Sequence, residues 1–567
     1  MNVAQAISRA LVSEGITLAA GMSGQQIGLL LDAIANCGEI QLMYARQERV
    51  AFDIADGFAR ACGKPAVVFT DSGPAAANLM AGLVNSWGDS IPVLFFCGHN
   101  NRVETSSRQT KEIPLIDLFR PVSKWTALLN DPAQTNEILR RAFMHLRTGR
   151  PGPVVIGLPF DVSGMDVGNF EYAPVNAHPR PRSGADPEAV SAAIDLIAGA
   201  KRPYVYVGAG ALFSEASDDL VHLAEMLTLP VATTLNGKSA FPEQHELALG
   251  IGGFGRASYG SIAATTLAEK ADVIVTVGCG FRRHATLVRP GPSVKHIQIE
   301  VDPAELNRDH LADVAMLGDA RIVLRQLCEA AKAKLPAARL KPVKERLKEV
   351  KDLKARWDDL CKPLLQSEET PVNPFRVTHE LTKLVDPADT IVLHDAGSVR
   401  GSTSQHYVAT HPRSFLGFGV QSAMGWTVGA AMGAKKAHPS KLVVAVVGEE
   451  AFNETAMDVE TSIRNDAPVL YIVKNNRRFV DTDGGKSQRL AYTRFHKGVA
   501  IGPLATALGA KAYRIEKPGD LAKTLKAAIA DVNGGQTAVV EILTARVNGS
   551  LHRLWDPAAA GAKGGGD

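Results

Sequence analysis

Residues 443–476 read VVAVVGEEAFNETAMDVETSIRNDAPVLYIVKNN. The opening apolar residues do not alternate with polar ones, as a strand buried on both faces requires, and the run stops at Gly448-Glu449-Glu450. A stretch of helical period follows, then a second apolar run that closes on Asn475-Asn476. Strand, helix and strand in that order predict a βαβ unit and a parallel sheet. Two strand ends of such a sheet lie side by side at its carboxyl edge, where open α/β sheets bind ligands. A carboxylate on one and an amide on the other make an all-oxygen set suited to a hard cation such as Mg²⁺. Polar turn residues that merely end two strands give the same pattern.

The same grammar extends outward in both directions. In the last third, residues 390–397 and 537–545 are further strand candidates; in the first third they are 40–45, 66–71, 92–98 and 153–159, with a helix over 75–87. The middle repeats it at 204–210, 229–235, 272–280 and 296–302. A proline-rich stretch at 171–187 and a Lys-rich one opening near 331 interrupt it. The expected fold is α/β, with three doubly wound parallel-sheet domains. The expected boundaries are 1–170, a linker 171–187, a central domain 188–333, a helical linker 334–373, a third domain 374–550 and a Gly-rich tail 551–567.

A chain of 567 residues is too long for one core. Its 62 basic and 59 acidic residues nearly balance, which points away from a nucleic-acid partner. No apolar stretch approaches the ~20 residues of a membrane span. Residues 1–15 resemble an amphipathic helix rather than a secretion signal, so a cytoplasmic location is expected. The 6 cysteines form no C-x-x-C pair and are expected to be buried, reduced thiols. Gly-x-Gly turns at 208–210, 278–280 and 417–419 lack the third glycine of a dinucleotide fingerprint, and tight strand-to-helix turns explain them as well.

The span from Gly448 to Asn476 resembles the thiamine-diphosphate signature, Gly-Asp-Gly followed by Asn-Asn, at the spacing of the acetolactate-synthase-like branch. Residues 416–434, LGFGVQSAMGWTVGAAMGA, are similar to that branch's GGLGTMGFGLPAAIGA. Arg46-Gln47-Glu48 with Ala55-Asp56-Gly57-Phe58-Ala59-Arg60 resembles the family's glutamate motif, and Asp71-Ser72-Gly73-Pro74 through Asn78 its SGPGATN turn. Arg120-Pro121-Val122-Ser123-Lys124 and residues 149–162 follow in order, as do 200–203, 233–243 and 299–303 in the middle. The likeness covers about residues 3–548.

The resemblance implies thiamine diphosphate and Mg²⁺ as cofactors. It assigns Glu48 the catalytic hydrogen bond to the pyrimidine ring, a task that burial among Val50, Ala51 and Phe52 would favour by holding its proton near neutrality. Gly73, Asn78, Gly397, Ser398, Ser422, Met424, Gly448, Glu450 and Ala451 would touch the cofactor, and Glu449, Asn476 and Arg478 the metal. Ser23, His99, Lys111 and Phe479 fall where relatives line a substrate pocket, although surface or core roles fit equally. Arg282-Arg283-His284 falls where relatives bind FAD or the ADP part of coenzyme A, although solvated arginines are common at strand ends.

The implied activity is carboligation or decarboxylation of a small 2-oxo acid or acyl donor. A 2-hydroxyacyl-CoA lyase or oxalyl-CoA decarboxylase is the alternative, and a non-catalytic partner subunit with weakened cofactor binding a third. In relatives the glutamate and the diphosphate domain come from different subunits, which implies a homodimer or homotetramer. Glu449 stands for the family's Asp and Glu450 for its second Gly, with Ala75 and Gly21-Met22-Ser23-Gly24 as smaller departures. Glu450 brings an anion toward a diphosphate, a repulsion of a few kcal/mol at about 4 Å unless Arg400, Arg477 or Arg478 offsets it.

Overall fold

Every strand of the computed structural model pairs in parallel, and the strands form three six-stranded sheets. The structure describes residues 1–252, 259–281, 291, 293–478, 498–547 and 551. Across its width the first sheet runs Gln41–Tyr44, Leu18–Gly21, Ala66–Thr70, Val93–His99, Val154–Pro159, Trp125–Leu128. The second runs Val314–Leu317, Lys295–Glu300, Val273–Val277, Pro203–Val207, Val231–Thr233, Ala248–Ile251. The third runs Phe415–Leu416, Thr390–His394, Leu442–Gly448, Leu470–Asn475, Ala538–Leu543, Lys511–Ile515. The α/β reading with three doubly wound sheets therefore holds. The central strands are apolar on consecutive residues because helices cover both of their faces.

The expected helix over 75–87 is two helices, Pro74–Asn78 and Met80–Asp89, broken at Leu79. The Lys-rich segment contains the surface helix Lys344–Leu365. Cys37 and Cys62 are only half-buried, against the expectation for all six thiols, while the other four are buried. Among the described residues no helix is long and apolar enough to cross a membrane. The Gly-rich tail beyond Leu551 lies outside the described residues.

The first and third sheets share one core. A single contiguous apolar cluster runs from Leu18 and Phe52 through Phe95 to Trp426, Val447 and Val539, whereas the middle sheet closes around its own cluster. The seam is formed by helix Glu48–Cys62 on helix Trp426–Ala437. A Cβ on Gly57 would lie 2.2 Å from the Ala430 carbonyl oxygen, and one on Gly433 would lie 1.9 Å from that of Ile54, so the two backbones nearly touch.

Charged groups close the same seam. Arg60 reaches Asp56 at 2.6 Å and Asp89 at 3.1 Å, the Trp426 indole N–H donates to Asp56 at 2.8 Å, and Asp89 accepts the Gly419 N–H at 2.8 Å. Pairing of this kind is what lets charges remain buried.

Candidate functional site

In the third sheet Leu442–Gly448 and Leu470–Asn475 are neighbours, with Gly448 opposite Lys474. That register sets Glu449, the first residue of helix Glu449–Thr455, beside the segment 475–478. Its Oε1 accepts the Arg478 N–H at 2.8 Å and its Oε2 the Asn476 N–H at 3.4 Å. Burial raises the Glu449 carboxyl to about 7; backbone N–H groups of Arg478, Glu449 and Asn476 pull it back, and the Glu450 charge pushes it further up. Among the described residues no cationic side chain pairs with it. A buried carboxylate short of counter-charge, with an amide side chain next to it, fits a divalent cation of the Mg²⁺ type. Glu449, Asn476 and Arg478 are the residues that would hold it.

A ligating Glu449 must be ionised. With its carboxyl near 7, Mg²⁺ affinity is expected to be about tenfold lower at pH 6 than at pH 8. A flat profile by calorimetric titration would remove Glu449 from the ligand set. The folded carboxyl keeps a proton that the unfolded chain releases near 4.5. Metal-free stability therefore falls as pH rises from 4.5 through 7, and bound metal restores it.

Glu450 is half-buried in the same helix turn. Among the described residues no ion pair joins it to Arg400, Arg477 or Arg478, so the expected direct offset is not formed. Arg477 is exposed, with φ 58°, and its N–H turns back to Asn475 Oδ1 at 2.9 Å.

The neighbouring strand Thr390–His394 ends at Asp395, a fully buried carboxylate. It accepts the N–H groups of Ala396 at 2.8 Å, Gly425 at 3.2 Å and Thr427 at 3.1 Å. These bonds fix the loop carrying Ser422 and Met424 against Gly397 and Ser398. Gly397 has φ 72° and open space where a Cβ would be, so its conformation rather than crowding demands glycine. Ser422 also has positive φ, 52°, and its Oγ accepts from Arg400 Nη2 at 2.7 Å. Thr455 Oγ1 donates to the Gly425 carbonyl at 3.1 Å, and a Cβ on Gly425 would lie 3.0 Å from the Ala451 carbonyl oxygen. Gly397, Ser398, Ser422, Met424, Gly448, Glu449 and Ala451 thus share one end of the sheet.

In the first domain Glu48 opens its helix and accepts from Asn78 Nδ2 at 3.2 Å. Val50, Ala51 and Phe52 are buried, but Glu48 itself is only half-buried in this chain, because the first helical turn projects beyond the core. A deeply buried acid lies further along the same helix at Asp53, whose carboxyl burial holds well above the usual range. Arg49, next to Glu48, donates to the Met424 carbonyl and reaches Glu454 at 3.4 Å, which brings the Glu48 turn to the Met424 loop.

The remaining positions spread out. Gly73, φ 65°, packs on the Lys111 backbone, where a Cβ would lie 2.8 Å from Cα. The Lys111 amine pairs with Asp71 at 2.6 Å. His99 is buried at its strand end, its Nδ1 3.2 Å from the Asn100 carbonyl oxygen. Ser23 is exposed beside the Tyr44 hydroxyl at 3.2 Å. Phe479 and Arg282-Arg283-His284 lie outside the described residues.

A cavity where the three domains meet is lined by Arg150, Gly208, Asn236, Gly280, Arg400 and Val420 among others. The Gly-x-Gly turns beside it pack on each other: a Cβ on Gly208 would lie 2.1 Å from the Gly278 carbonyl oxygen. Asp395 and Arg49 were not expected as organising residues. The signals for them were an acid ending a strand before Gly397 and a cation directly after Glu48.

Three family models match the chain in order: the N-terminal TPP binding domain of the thiamine pyrophosphate enzymes over residues 1–118, their central domain over 190–327 and their C-terminal TPP binding domain over 395–542. A probable acetolactate synthase large subunit of Methanocaldococcus jannaschii is 33% identical, over 93% of this chain and 90% of its own. The acetolactate synthase isozyme 3 large subunit of Escherichia coli K12 is 29% identical, over 97% of this chain and 96% of its own. The glyoxylate carboligase of Escherichia coli O157:H7 is 30% identical, over 96% and 94%. With matching domains in matching order and full-length relatives, the chain belongs to the thiamine-pyrophosphate-dependent enzymes and is acetolactate-synthase-like.

Proposed function

We propose that the protein is a thiamine-diphosphate- and Mg²⁺-dependent carboligase that joins small 2-oxo acids, with decarboxylation of the donor. The observation that carries this reading is the single sheet end that holds Glu449, Asn476, Gly397, Ser422 and Met424, with the Glu48 turn tied to it through Arg49. The names of the relatives, acetolactate synthase and glyoxylate carboligase, support a 2-oxo acid as donor. Thiamine diphosphate, when bound, supplies a nucleophilic carbon and an electron sink for making or breaking a bond beside a carbonyl.

The chain's own residues do the rest. Glu48, with Oε2 already accepting from Asn78, exchanges a proton with the pyrimidine ring. The Ser422 carbonyl would accept a hydrogen bond from the amino group of the cofactor's pyrimidine, and Met424 would pack against the cofactor. Gly397 and Gly448 leave open space that would admit the diphosphate, with the half-buried Ser398 next to Gly397. Glu449, the Asn476 amide and the Arg478 backbone would hold the metal. Completion of the site by a second subunit, in a homodimer or homotetramer, belongs to the same reading.

Calorimetric titration of the purified protein with thiamine diphosphate and Mg²⁺ tests it: micromolar binding is expected, on the order of −8 kcal/mol. Absence of binding at millimolar cofactor would reduce the chain to a non-catalytic relative. Turnover of pyruvate or glyoxylate is expected; cleavage of acyl-CoA substrates in their place would shift the assignment to the CoA-dependent lyases.

A further inference from the structure

We propose that Arg400 binds the phosphate groups of the cofactor, and that its charge answers the extra negative charge that Glu450 brings to the same loop. The inference rests on the cofactor reading above. Arg400 lies on helix Ser398–Ser404, directly after Gly397, and is 3% exposed. Burying a guanidinium is costly unless its donors and charge are met.

Of the other buried arginines, Arg478 leaves its Nε unpartnered as Arg400 does, whereas Arg60 shows what meeting that requirement looks like. Arg60 has two carboxylates, Asp56 and Asp89, and the half-buried Arg413 donates to the carbonyls of Arg60 and Leu212 at 2.8 Å each. Arg400 has one neutral hydroxyl, Ser422 Oγ at 2.7 Å, and the face of Phe418 with its ring centre at 5.1 Å. Its Nε is buried without a partner, and among the described residues no carboxylate pairs with it. The adjacent His394 adds no anion: burial and the Arg400 charge together hold its ring neutral, at about 3.

The position matches the need. Arg400 lines the inner cavity beside Gly419 and Val420, and its helix faces the Gly448 turn, where the nearest atom to a Gly448 Cβ would be Val399 Cγ2 at 3.7 Å. That turn, outside the lining of the cavity, continues directly into Glu449 and Glu450, so two carboxylates stand at the sheet end that the cofactor reading assigns to the diphosphate. A guanidinium presents parallel N–H donors that suit phosphate oxygens, and its charge opposes that of Glu450. The ligand chemistry is therefore a phosphate ester, and the diphosphate of the cofactor is its source.

Calorimetric titration of the full-length protein with thiamine diphosphate at fixed Mg²⁺, on wild type, Arg400→Gln, Glu450→Gln and the double variant, tests the pair. Arg400→Gln is expected to weaken binding about ten- to hundredfold, and Glu450→Gln to tighten it about threefold. In the Glu450→Gln background the loss from Arg400→Gln should shrink, since the two charges act on one ligand. A loss within about twofold in Arg400→Gln overturns the proposal, as does a loss for ADP without one for thiamine diphosphate. If Arg400→Gln does not fold, Arg400→Lys replaces it: with the charge kept, affinity within about fivefold is expected, and a loss beyond about tenfold overturns the proposal. A wild type that binds no cofactor defeats the functional reading as well; a wild type that binds beside an unaffected Arg400→Gln defeats this proposal alone.

Discussion

Replacing Glu48 with Gln is expected to cut turnover by about a hundredfold or more, the contribution of a positioned proton-transfer group. Gln keeps the length of the side chain and its hydrogen bond with Asn78 but cannot exchange a proton with the pyrimidine ring. Affinity for thiamine diphosphate should therefore stay within about tenfold of wild type, since the proton and not the contact is removed. The measurement is steady-state turnover of the 2-oxo acid beside a calorimetric titration on the same preparation. Unchanged turnover would strip Glu48 of its role, and affinity lost in step with turnover would make it a binding group only. The half-exposure of Glu48 in the isolated chain sharpens the experiment, because the fold of one chain alone does not fully bury its side chain.

A Gly433→Ala substitution should be among the most damaging single added methyl groups at the described glycines. The added carbon would lie 1.9 Å from the Ile54 carbonyl oxygen and 2.7 Å from the Phe58 amide nitrogen, both backbone atoms that cannot swing away. Helix Trp426–Ala437 must then lift from helix Glu48–Cys62, at a cost of about 3 kcal/mol, the upper range for overpacking. The same lift pulls Trp426 from Asp56 and the Met424 loop from Arg49, so cofactor affinity should fall along with the melting temperature. Gly502→Ala is the control, since its helix leaves nothing within 4 Å of the new carbon. A Gly433→Ala protein that melts with wild type would show that the seam between the helices is softer than its geometry.

Much of this was legible in the sequence, and the exceptions have physical causes. Twelve strands were readable in the sequence, most of them as largely apolar runs, because a strand covered on both faces has no room for alternation, while the edge strand Gln41–Tyr44 was read as well. The unread ones are edge strands, apart from Leu18–Gly21. Lys511–Ile515 shows why: one flank faces solvent, so Lys511 and Arg514 interrupt the run. Leu18–Gly21 escaped because its Ala-Ala-Gly is as compatible with a helix.

At the site, Glu449 beside Asn476 followed from two strand ends at a fixed spacing. That no ion pair joins Glu450 to Arg400, Arg477 or Arg478 among the described residues did not, since rotamers of long side chains at a loop are set by neighbours distant in sequence. Asp395 and Arg49 escaped for the related reason that their partners, Thr427 and Met424, come close only once the sheets are assembled.

The shared core has a bearing on how the chain can be taken apart and rebuilt. Its two outer thirds close around one set of apolar residues, while the middle third closes around its own. The middle third, which meets the apolar cluster of the third sheet at Leu235 and Ile251, lies between two thirds that share a core, and it is the segment to exchange when grafting a different cavity onto this scaffold. Chimaeras that divide the outer thirds between two parents would have to carry Gly57, Gly433 and the Arg60–Asp89 pair together, or neither half would find its counterpart.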